Sequence, residues 1–231
     1  MFNVDFLNRL RSAELEELAA SIPSGARVLE FGAGTGEQAR QLAAMGFDVV
    51  AIDLASSEYA GHRIFPVIDY DGRHIPLPDR SVDAIFSSNV LEHVEDLPTI
   101  LGEFRRVLKP AGIGVHAMPT PAWRFWTFVA GPPTALVALS KLKLKAALAA
   151  LLPLGHGTSK EGISELWTFA PRWWRRTFHR NGMEVVEERP IGIFYTGHFL
   201  LGEQLSFEQR RRISRTLGSG ARIYVVRPLE R

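Results

Sequence analysis

The stretch RVLEFGAGTGEQARQLAAMGFDVVAID, residues 27–53, decides the fold. A short apolar segment, Arg27 to Phe31, runs into a glycine-rich turn, and Glu37 to Met45 then has the pattern of a helix. Asp48 to Asp53 is β-branched and ends on a carboxylate, which is typical of a strand. The pattern predicts a βαβ unit. Its glycines let backbone N–H groups approach a ligand closely, because glycine has no Cβ.

Strands and helices continue to alternate after this unit. An amphipathic helix is predicted before it, over residues 5–20, and apolar segments after it predict further strands and helices. The predicted strands are Ile64–Ile68, Val82–Ser87, Ile113–Met118, Met183–Glu188 and Ala221–Arg227, and the predicted helices are Leu97–Leu108 and Pro171–Arg180. The predicted fold class is therefore α/β, with a Rossmann-like, doubly wound, mostly parallel seven-stranded sheet and helices on both faces. We expect a single domain, 1–231, with a core at about 22–118, a helical insertion after the fifth strand at about 119–170, and C-terminal strands at about 183–228.

The glycine spacing restricts the ligand. Dinucleotide sites carry G-x-G-x-x-G, whereas this loop has G-x-G-x-G with Glu30 two residues before the first glycine. An acid beside the loop disfavours a pyrophosphate and favours the ammonium and sulfonium of S-adenosylmethionine. Asp53, 21 residues after Gly32, is placed to accept hydrogen bonds from ribose hydroxyls, a feature that NAD sites share. An NAD-dependent oxidoreductase is disfavoured by the glycine spacing and by the lack of a Tyr-x-x-x-Lys pair.

Five motifs in this order resemble class I S-adenosylmethionine-dependent methyltransferases, and within them the branch called methyltransferase type 11. They are Val28–Gly36, Asp53, Asp71–Asp79, Val82–Val94 and Phe104–Gly112. The resemblance covers roughly residues 25–118. It implies S-adenosyl-L-methionine as the cofactor, S-adenosyl-L-homocysteine as the product, and an enzyme that is a transferase.

The resemblance also implies a role for each matching position. The residues implied to surround the methionine portion of the cofactor are Glu30, Gly32, Ala33, Gly34 and Gly36. Asp53 is implied to bind the ribose, Leu54 to line the adenine pocket, and Asp71 and Gly72 to hold the adenine amino group. The loop under the sulfonium is implied to consist of Ser88, Asn89 and Val90. On local sequence alone Asp71-Gly72 is a plain turn. Its place in the order of motifs favours the binding role.

Methyl transfer from a sulfonium is an in-line displacement, so the enzyme has mainly to align the acceptor and exclude water. A base is optional. For a hydroxyl acceptor, His93 and His156 are the candidate proton acceptors. The alternatives are a structural role for His93 and an exposed loop position for His156, while His116 is expected to be structural. No metal site is predicted, because no H-x-x-x-H or carboxylate–histidine cluster has ligand spacing.

Charge is unevenly distributed along the chain. The net charge is +2, yet residues 1–103 carry net −10, residues 104–231 carry net +12, and no acid occurs from Phe104 through Lys160. Such a field favours an anionic partner, unless the two halves simply neutralise each other. The chain has no cysteine, which excludes disulfides, and no secretory signal is recognised, so a cytoplasmic location is expected.

The insertion is rich in Trp, Phe, Leu and Ala. Its longest uncharged run, Phe125–Ser140, has 16 residues, which is too short to span a bilayer. We predict an interruption at Gly131-Pro132-Pro133 and a helix over Thr134–Leu152. The aromatic residues could line an acceptor pocket, enter a membrane interface beside the lysines, or pack onto the core.

The predicted function is methylation of a small-molecule or amphiphilic acceptor, with O-methylation favoured. The expected acceptors are lipid-linked or polyketide-like molecules and sugar derivatives, including anionic ones. Nucleic acid is disfavoured for want of a recognisable binding module. The alternative is a non-catalytic relative that keeps the fold and acts as a membrane-associated or partner-binding subunit.

Overall fold

The computed structural model describes residues 4–152, 155–158, 162–198, 202 and 204–229. In chain order the elements are α1 Val4–Ala19, β1 Arg27–Phe31, α2 Glu37–Ala44, β2 Asp48–Leu54, β3 Val67–Tyr70, β4 Val82–Ser88, α3 Leu97–Val107, β5 Leu108–Pro119, α4 Pro121–Ser140, α5 Leu144–Leu151, α6 Glu165–Thr168, α7 Pro171–Arg180, β6 Met183–Pro190, α8 Phe207–Leu217 and β7 Ala221–Pro228. Two 3-10 turns cover Ala60–His62 and Leu91–His93. Within the described part of the chain no helix is both long and apolar enough to cross a membrane.

The seven strands form one sheet in the order β3-β2-β1-β4-β5-β7-β6. The pairings of β1 with β2 and β4, of β2 with β3, and of β4 with β5 are all parallel. Parallel strands place their carboxyl ends at one edge of the sheet, and β1 and β4 are almost wholly buried, as an interior parallel strand requires. The predicted α/β fold class is confirmed, and α4 to α6 follow the fifth strand as expected.

Contacts divide the chain into two compact units. The first, which we call the sheet unit, comprises Arg11–Met118, Arg175–Arg189 and Ile223–Arg231. The second, which we call the hairpin unit, comprises Met1–Leu10, Pro119–Trp174 and Pro190–Arg222. The residues predicted as an insertion thus belong to a unit that also contains later segments of the chain.

An aromatic stack runs through the core of the sheet unit. Phe31 meets Phe104 edge-on at 5.0 Å between ring centroids, and His116 stacks between Phe104 at 5.5 Å and Phe178 at 5.8 Å. Burial lowers the pKa of His116 to about 3, and its Nδ1 lies 2.8 Å from Ser87 Oγ. His116 is therefore a neutral core residue, in agreement with the structural role predicted for it.

The hairpin unit is organised by a buried arginine. Arg210 is 1% exposed, and its guanidinium donates to the carbonyl oxygens of Phe194 at 3.0 Å and Leu205 at 3.3 Å. Its Cζ also lies 4.7 Å from the centroid of the Phe6 ring. Hydrogen bonds to carbonyls keep a buried guanidinium satisfied, so Arg210 links three separate chain segments of this unit.

The predicted break at Gly131-Pro132-Pro133 is wrong. Helix α4 continues through both prolines to Ser140, and the chain breaks instead before α5, where Leu142 has φ 55°. The prolines are exposed, so their rings lie on the outer side of the helix. Thr134 Oγ1, immediately after them, donates to the Ala130 carbonyl at 2.6 Å. A Cβ on Gly131 would lie 2.5 Å from the Ala150 carbonyl oxygen, so this glycine allows α5 to pack closely.

Three further elements differ from the prediction. The fifth strand begins at Leu108 rather than Ile113. The third strand begins at Val67 rather than Ile64, because Pro66 cannot donate to the ladder and the Ile64 N–H donates to Thr35 O at 2.8 Å. Helix α8 was not predicted at all. Its sequence signal is a capping box, in which Gln209 N–H donates to Ser206 Oγ and Ser206 N–H donates to Gln209 Oε1.

Candidate functional site

The glycine loop lies at the carboxyl end of β1 and is held by backbone hydrogen bonds. The N–H groups of Gly32 and Ala33 both donate to Ile52 O of β2 at 3.0 Å. Gly36 N–H donates to Ala33 O at 2.8 Å, and the Gly36 carbonyl accepts the first bond of α2, from Arg40 N–H. The loop is therefore fixed between β1, β2 and α2.

Two of the three glycines are required by packing within the protein itself. Gly32 and Gly36 both have φ 79°, a left-handed conformation that favours glycine. A Cβ on Gly32 would lie 2.5 Å from Val90 Cγ1, and one on Gly36 would lie 2.6 Å from Phe65 Cβ. Residues predicted to share one binding site, Gly32 and Val90, are thus in direct contact.

Glu30 has an unusual environment for an acid. Its side chain is 2% exposed, and its Oε2 has no hydrogen-bond partner among the described residues. Burial raises its pKa to about 8, against the lowering effect of the Ala39 backbone N–H, and the charge of Asp53 raises the pKa further. A carboxyl group in this state is suited to a cationic ligand, which stabilises its ionised form. The ammonium and sulfonium of S-adenosylmethionine fit that requirement.

Asp53 connects the second strand to the glycine loop. Its Oδ2 accepts from Gly34 N–H at 2.9 Å, and its Oδ1 accepts from Leu54 N–H at 2.8 Å. Each carboxylate oxygen can accept a further hydrogen bond, so Asp53 can still receive two ribose hydroxyls. The next side chain, Leu54, is 40% exposed and offers an apolar surface to a base.

The turn at Asp71-Gly72 lies against this surface. A Cβ on Gly72 would meet Leu54 Cδ2 at 3.1 Å, which places the turn beside the predicted adenine pocket. Asp71 Oδ1 accepts from the N–H groups of Arg73 at 2.8 Å and His74 at 2.7 Å. These two backbone bonds, that from His74 first, hold the pKa of Asp71 below its usual range. The segment therefore forms a turn, and these two bonds leave Asp71 Oδ2 available to another partner.

The fourth strand supplies the remaining predicted positions, which follow its carboxyl end. Asn89 has φ 56°, its N–H donates to Ala117 O at 2.8 Å, and its Nδ2 donates to Ser88 Oγ at 3.2 Å. This conformation turns the chain so that Val90 meets Gly32. The structure thus brings the segments at 30–36, 53–54, 71–72 and 88–90 to one edge of the sheet unit.

The two candidate bases are placed in different units. His93 ends the 3-10 turn after Val90, and its Nε2 lies 3.9 Å from Glu92 Oε1. Its side chain is 44% exposed, and the partial burial that remains lowers its pKa below the ordinary 6.5. His156 lies in the hairpin unit with its ring centroid 4.8 Å from that of Trp123. Its backbone N–H donates to the buried Glu165, which also pairs with Arg124 at 3.1 Å. The backbone of His156 is therefore held by a buried ion pair.

Two tyrosines at this edge were missed by the sequence analysis. The ring of Tyr59 lies over Gly34, where a Cβ would meet Tyr59 Cδ2 at 3.5 Å. Tyr70 ends β3 and packs edge-on against Phe31 at 5.6 Å, and burial raises its pKa to about 12, with Asp53 and Asp71 adding to the shift. The sequence signal that could have indicated them is their position, because Tyr70 ends the third strand and Tyr59 follows the second.

Known proteins resemble this chain in the same region. A family model described as a methyltransferase domain matches residues 29–115. A malonyl-[acyl-carrier protein] O-methyltransferase of Yersinia pestis is 41% identical over 95 residues, which are 39% of this chain and 35% of that protein. A demethylmenaquinone methyltransferase of Corynebacterium urealyticum is 35% identical over 123 residues, 52% of each chain. The chain thus spans about half or less of the length of these curated relatives.

The fold has solved counterparts as well. The crystal structure of an S-adenosylmethionine-dependent methyltransferase from Aquifex aeolicus superposes with a TM-score of 0.55 at 16% identity, covering 98% of this chain and 99% of that one. At this identity the likeness concerns the fold alone.

Proposed function

We propose, from the premise that this chain carries an S-adenosylmethionine-dependent methyltransferase domain of the type 11 branch at residues 29–115, that it methylates a small-molecule or amphiphilic acceptor. Oxygen is the favoured acceptor atom. The observation that supports the proposal best is the environment of Glu30. Its carboxyl group is buried beside the glycine loop, and its Oε2 has no hydrogen-bond partner among the described residues. Asp53, the acid proposed to bind the ribose, accepts a hydrogen bond from the same loop. An acid in this position disfavours a pyrophosphate, because like charges repel.

In this proposal the chain's own residues bind and orient. S-adenosylmethionine supplies a methyl group on a sulfonium that an acceptor can attack in line. Glu30 balances positive charge, Asp53 accepts from the ribose hydroxyls, and Leu54 contacts the base. The loop Ser88-Asn89-Val90 forms the floor of the site, and Asp71 Oδ2 is available to an amino group. Alignment and exclusion of water then account for most of the catalysis.

The acceptor class is supported by two independent features. The names of the relatives above specify an acyl-carrier-linked acid, methylated on oxygen, and a quinone. The chain itself carries net +12 over residues 104–231, which suits an anionic or carrier-linked acceptor. We therefore propose an amphiphilic acceptor, handled in the cytoplasm and close to a membrane surface.

Incubation with labelled S-adenosylmethionine and a fractionated metabolite extract tests the proposal. We expect a labelled product in the amphiphilic fractions, and calorimetry should show binding of S-adenosylmethionine and of S-adenosylhomocysteine. Binding without transfer to any fraction would favour the non-catalytic alternative. Absence of binding of either ligand at millimolar concentration would refute both.

His93 is proposed as the proton acceptor for a hydroxyl. Because burial lowers its pKa, the imidazole is neutral at pH 7 and can take a proton, and activity should fall only as the pH drops below the ordinary value of 6.5. His93→Gln is expected to lower kcat by about a hundredfold, to leave KM for the methyl donor unchanged, and to remove the acidic limb of the pH–rate profile. Initial rates across the pH range measure all three.

The matched control is His179→Gln, which alters an exposed histidine on α7. It should keep the kcat and the pH profile of the unaltered chain. A His93→Gln enzyme with an unchanged acidic limb would assign the limb to another group and leave His93 a structural role.

A further inference from the structure

The α4–α5 hairpin, residues 121–151, has its large apolar side chains on the outside. Where α4 and α5 face each other, the buried cluster consists of four alanines, Ala135, Ala138, Ala147 and Ala150. The exposed residues of this hairpin and its C-terminal end include Leu136, Val137, Leu139, Leu142, Leu144, Leu148, Leu151 and Leu152. Proteins in water normally bury leucine and leave such contiguous surfaces only where they bind something.

The exposed residues form ordered surfaces around a turn. Leu144, Leu148 and Leu151 recur at the spacing of one helical face on α5, and Val129 and Leu136 share a face of α4. Leu142 occupies the turn between the helices and is 95% exposed. The apolar surface therefore extends from both helices onto the turn.

The same turn carries only positive charge. Lys141, Lys143 and Lys145 are exposed, and none of them forms an ion pair with a residue that the structure describes. The sequence has no acid between Phe104 and Lys160 that could neutralise them. Exposed leucines beside a cluster of lysines are typical of segments that bind in the interface of an anionic bilayer.

We propose that the α4–α5 hairpin docks this protein on the surface of a membrane that contains anionic lipids. The leucines enter the boundary between headgroups and acyl chains, and the three lysines contact lipid phosphates. The hairpin lies in the membrane surface and does not cross it, in keeping with the absence of a spanning helix among the described residues. A second copy of the chain fits less well, because a two-fold interface would bring the two lysine clusters together.

Flotation of the full chain with vesicles tests this proposal, and it needs neither the methyl donor nor an acceptor. We expect binding to vesicles of phosphatidylcholine and phosphatidylglycerol in equal parts, weaker binding to phosphatidylcholine alone, and loss of binding as salt is raised. A double variant, Leu142→Glu and Leu148→Glu, should lower the partition coefficient by at least about tenfold. Replacing the three lysines by glutamine should lower it by about a hundredfold on the anionic vesicles.

Matched controls separate the hairpin from the rest of the surface. Replacing Arg172, Arg176 and Arg180 by glutamine removes the same charge from α7, and Ile163→Glu alters an exposed isoleucine outside the hairpin. Both should bind as the unaltered chain does. Equal losses in the arginine variant would attribute binding to overall charge and overturn the proposal, as would the absence of binding to anionic vesicles.

Three further measurements separate loss of docking from other effects of the substitutions. Circular dichroism and calorimetric cofactor binding should be unchanged in the hairpin variants, so that failure to dock is distinct from failure to fold or to bind the methyl donor. Sedimentation equilibrium tests the alternative that a second copy of the chain binds the hairpin. A dimer that Leu142→Glu converts to a monomer, with vesicle binding unchanged, would assign the hairpin to self-association and overturn the membrane proposal.

Discussion

Asp53→Ala is expected to weaken binding of S-adenosylmethionine by about a hundredfold. Asp53 is proposed to accept two ribose hydroxyls, and a hydrogen bond to a charged group contributes about 1.5 to 3 kcal/mol. The substitution also removes the acceptor for Gly34 N–H, 2.9 Å away, which helps to fix the glycine loop. Isothermal titration calorimetry with S-adenosylmethionine and S-adenosylhomocysteine measures the loss, which should be similar for both ligands because they share the ribose.

The neighbouring strand provides a control for this substitution. Asp69 pairs with Asp53 in the register of β2 and β3, and its Oδ1 accepts from Arg63 at 2.7 Å. It lies outside the five motifs, so no ligand role is proposed for it. Asp69→Ala should bind both ligands normally, and Asp53→Asn, which keeps one acceptor oxygen, should lose less affinity than Asp53→Ala. Equal affinities of Asp53→Ala and the unaltered chain would contradict the role assigned to Asp53.

The parts of the site that could be predicted are those encoded within short segments. The loop from Glu30 to Gly36, the carboxylate at the end of β2 and the loop after β4 each combine a strand end with a turn. Parallel pairing then brings them to one edge of the sheet, whatever the intervening helices do. This explains why five motifs in order sufficed to predict the fold class and the segments that meet at this edge.

The features that escaped prediction depend on contacts between distant segments. Two consecutive prolines normally end a helix, yet α4 continues because they lie on its exposed side and Gly131 admits the backbone of α5 at Ala150. The third strand starts late because Ile64 bonds to the glycine loop. The orientation of the hairpin leucines was equally hidden, since an apolar run has the same sequence whether it is buried or exposed.

The burial of Glu30 also could not be foreseen, and it predicts that cofactor binding depends on pH. With a pKa of about 8, Glu30 is protonated at pH 6 in the free protein, and a cationic ligand favours the ionised form. Binding must therefore release a proton. Affinity should rise by up to about tenfold per pH unit from pH 6 toward pH 8, and Glu30→Gln should show weak, pH-independent binding. Calorimetry in buffers of different ionisation enthalpy measures the proton released.

Glu37→Gln is the matched control, because Glu37 opens α2 seven residues after Glu30 and its pKa is lowered, chiefly by its bond to Arg40. It should keep the pH dependence of the unaltered chain.

The burial of Glu30 also predicts how the stability of the free protein changes with pH. The folded, unliganded protein holds a proton on Glu30 that the unfolded chain gives up near pH 4.5, so stability should fall between about pH 5 and pH 8 by a few kcal/mol and then level off. In Glu30→Gln this fall should be absent from chemical denaturation curves, whereas a parallel fall in both proteins would show that another group titrates and that Glu30 is ionised in the free site.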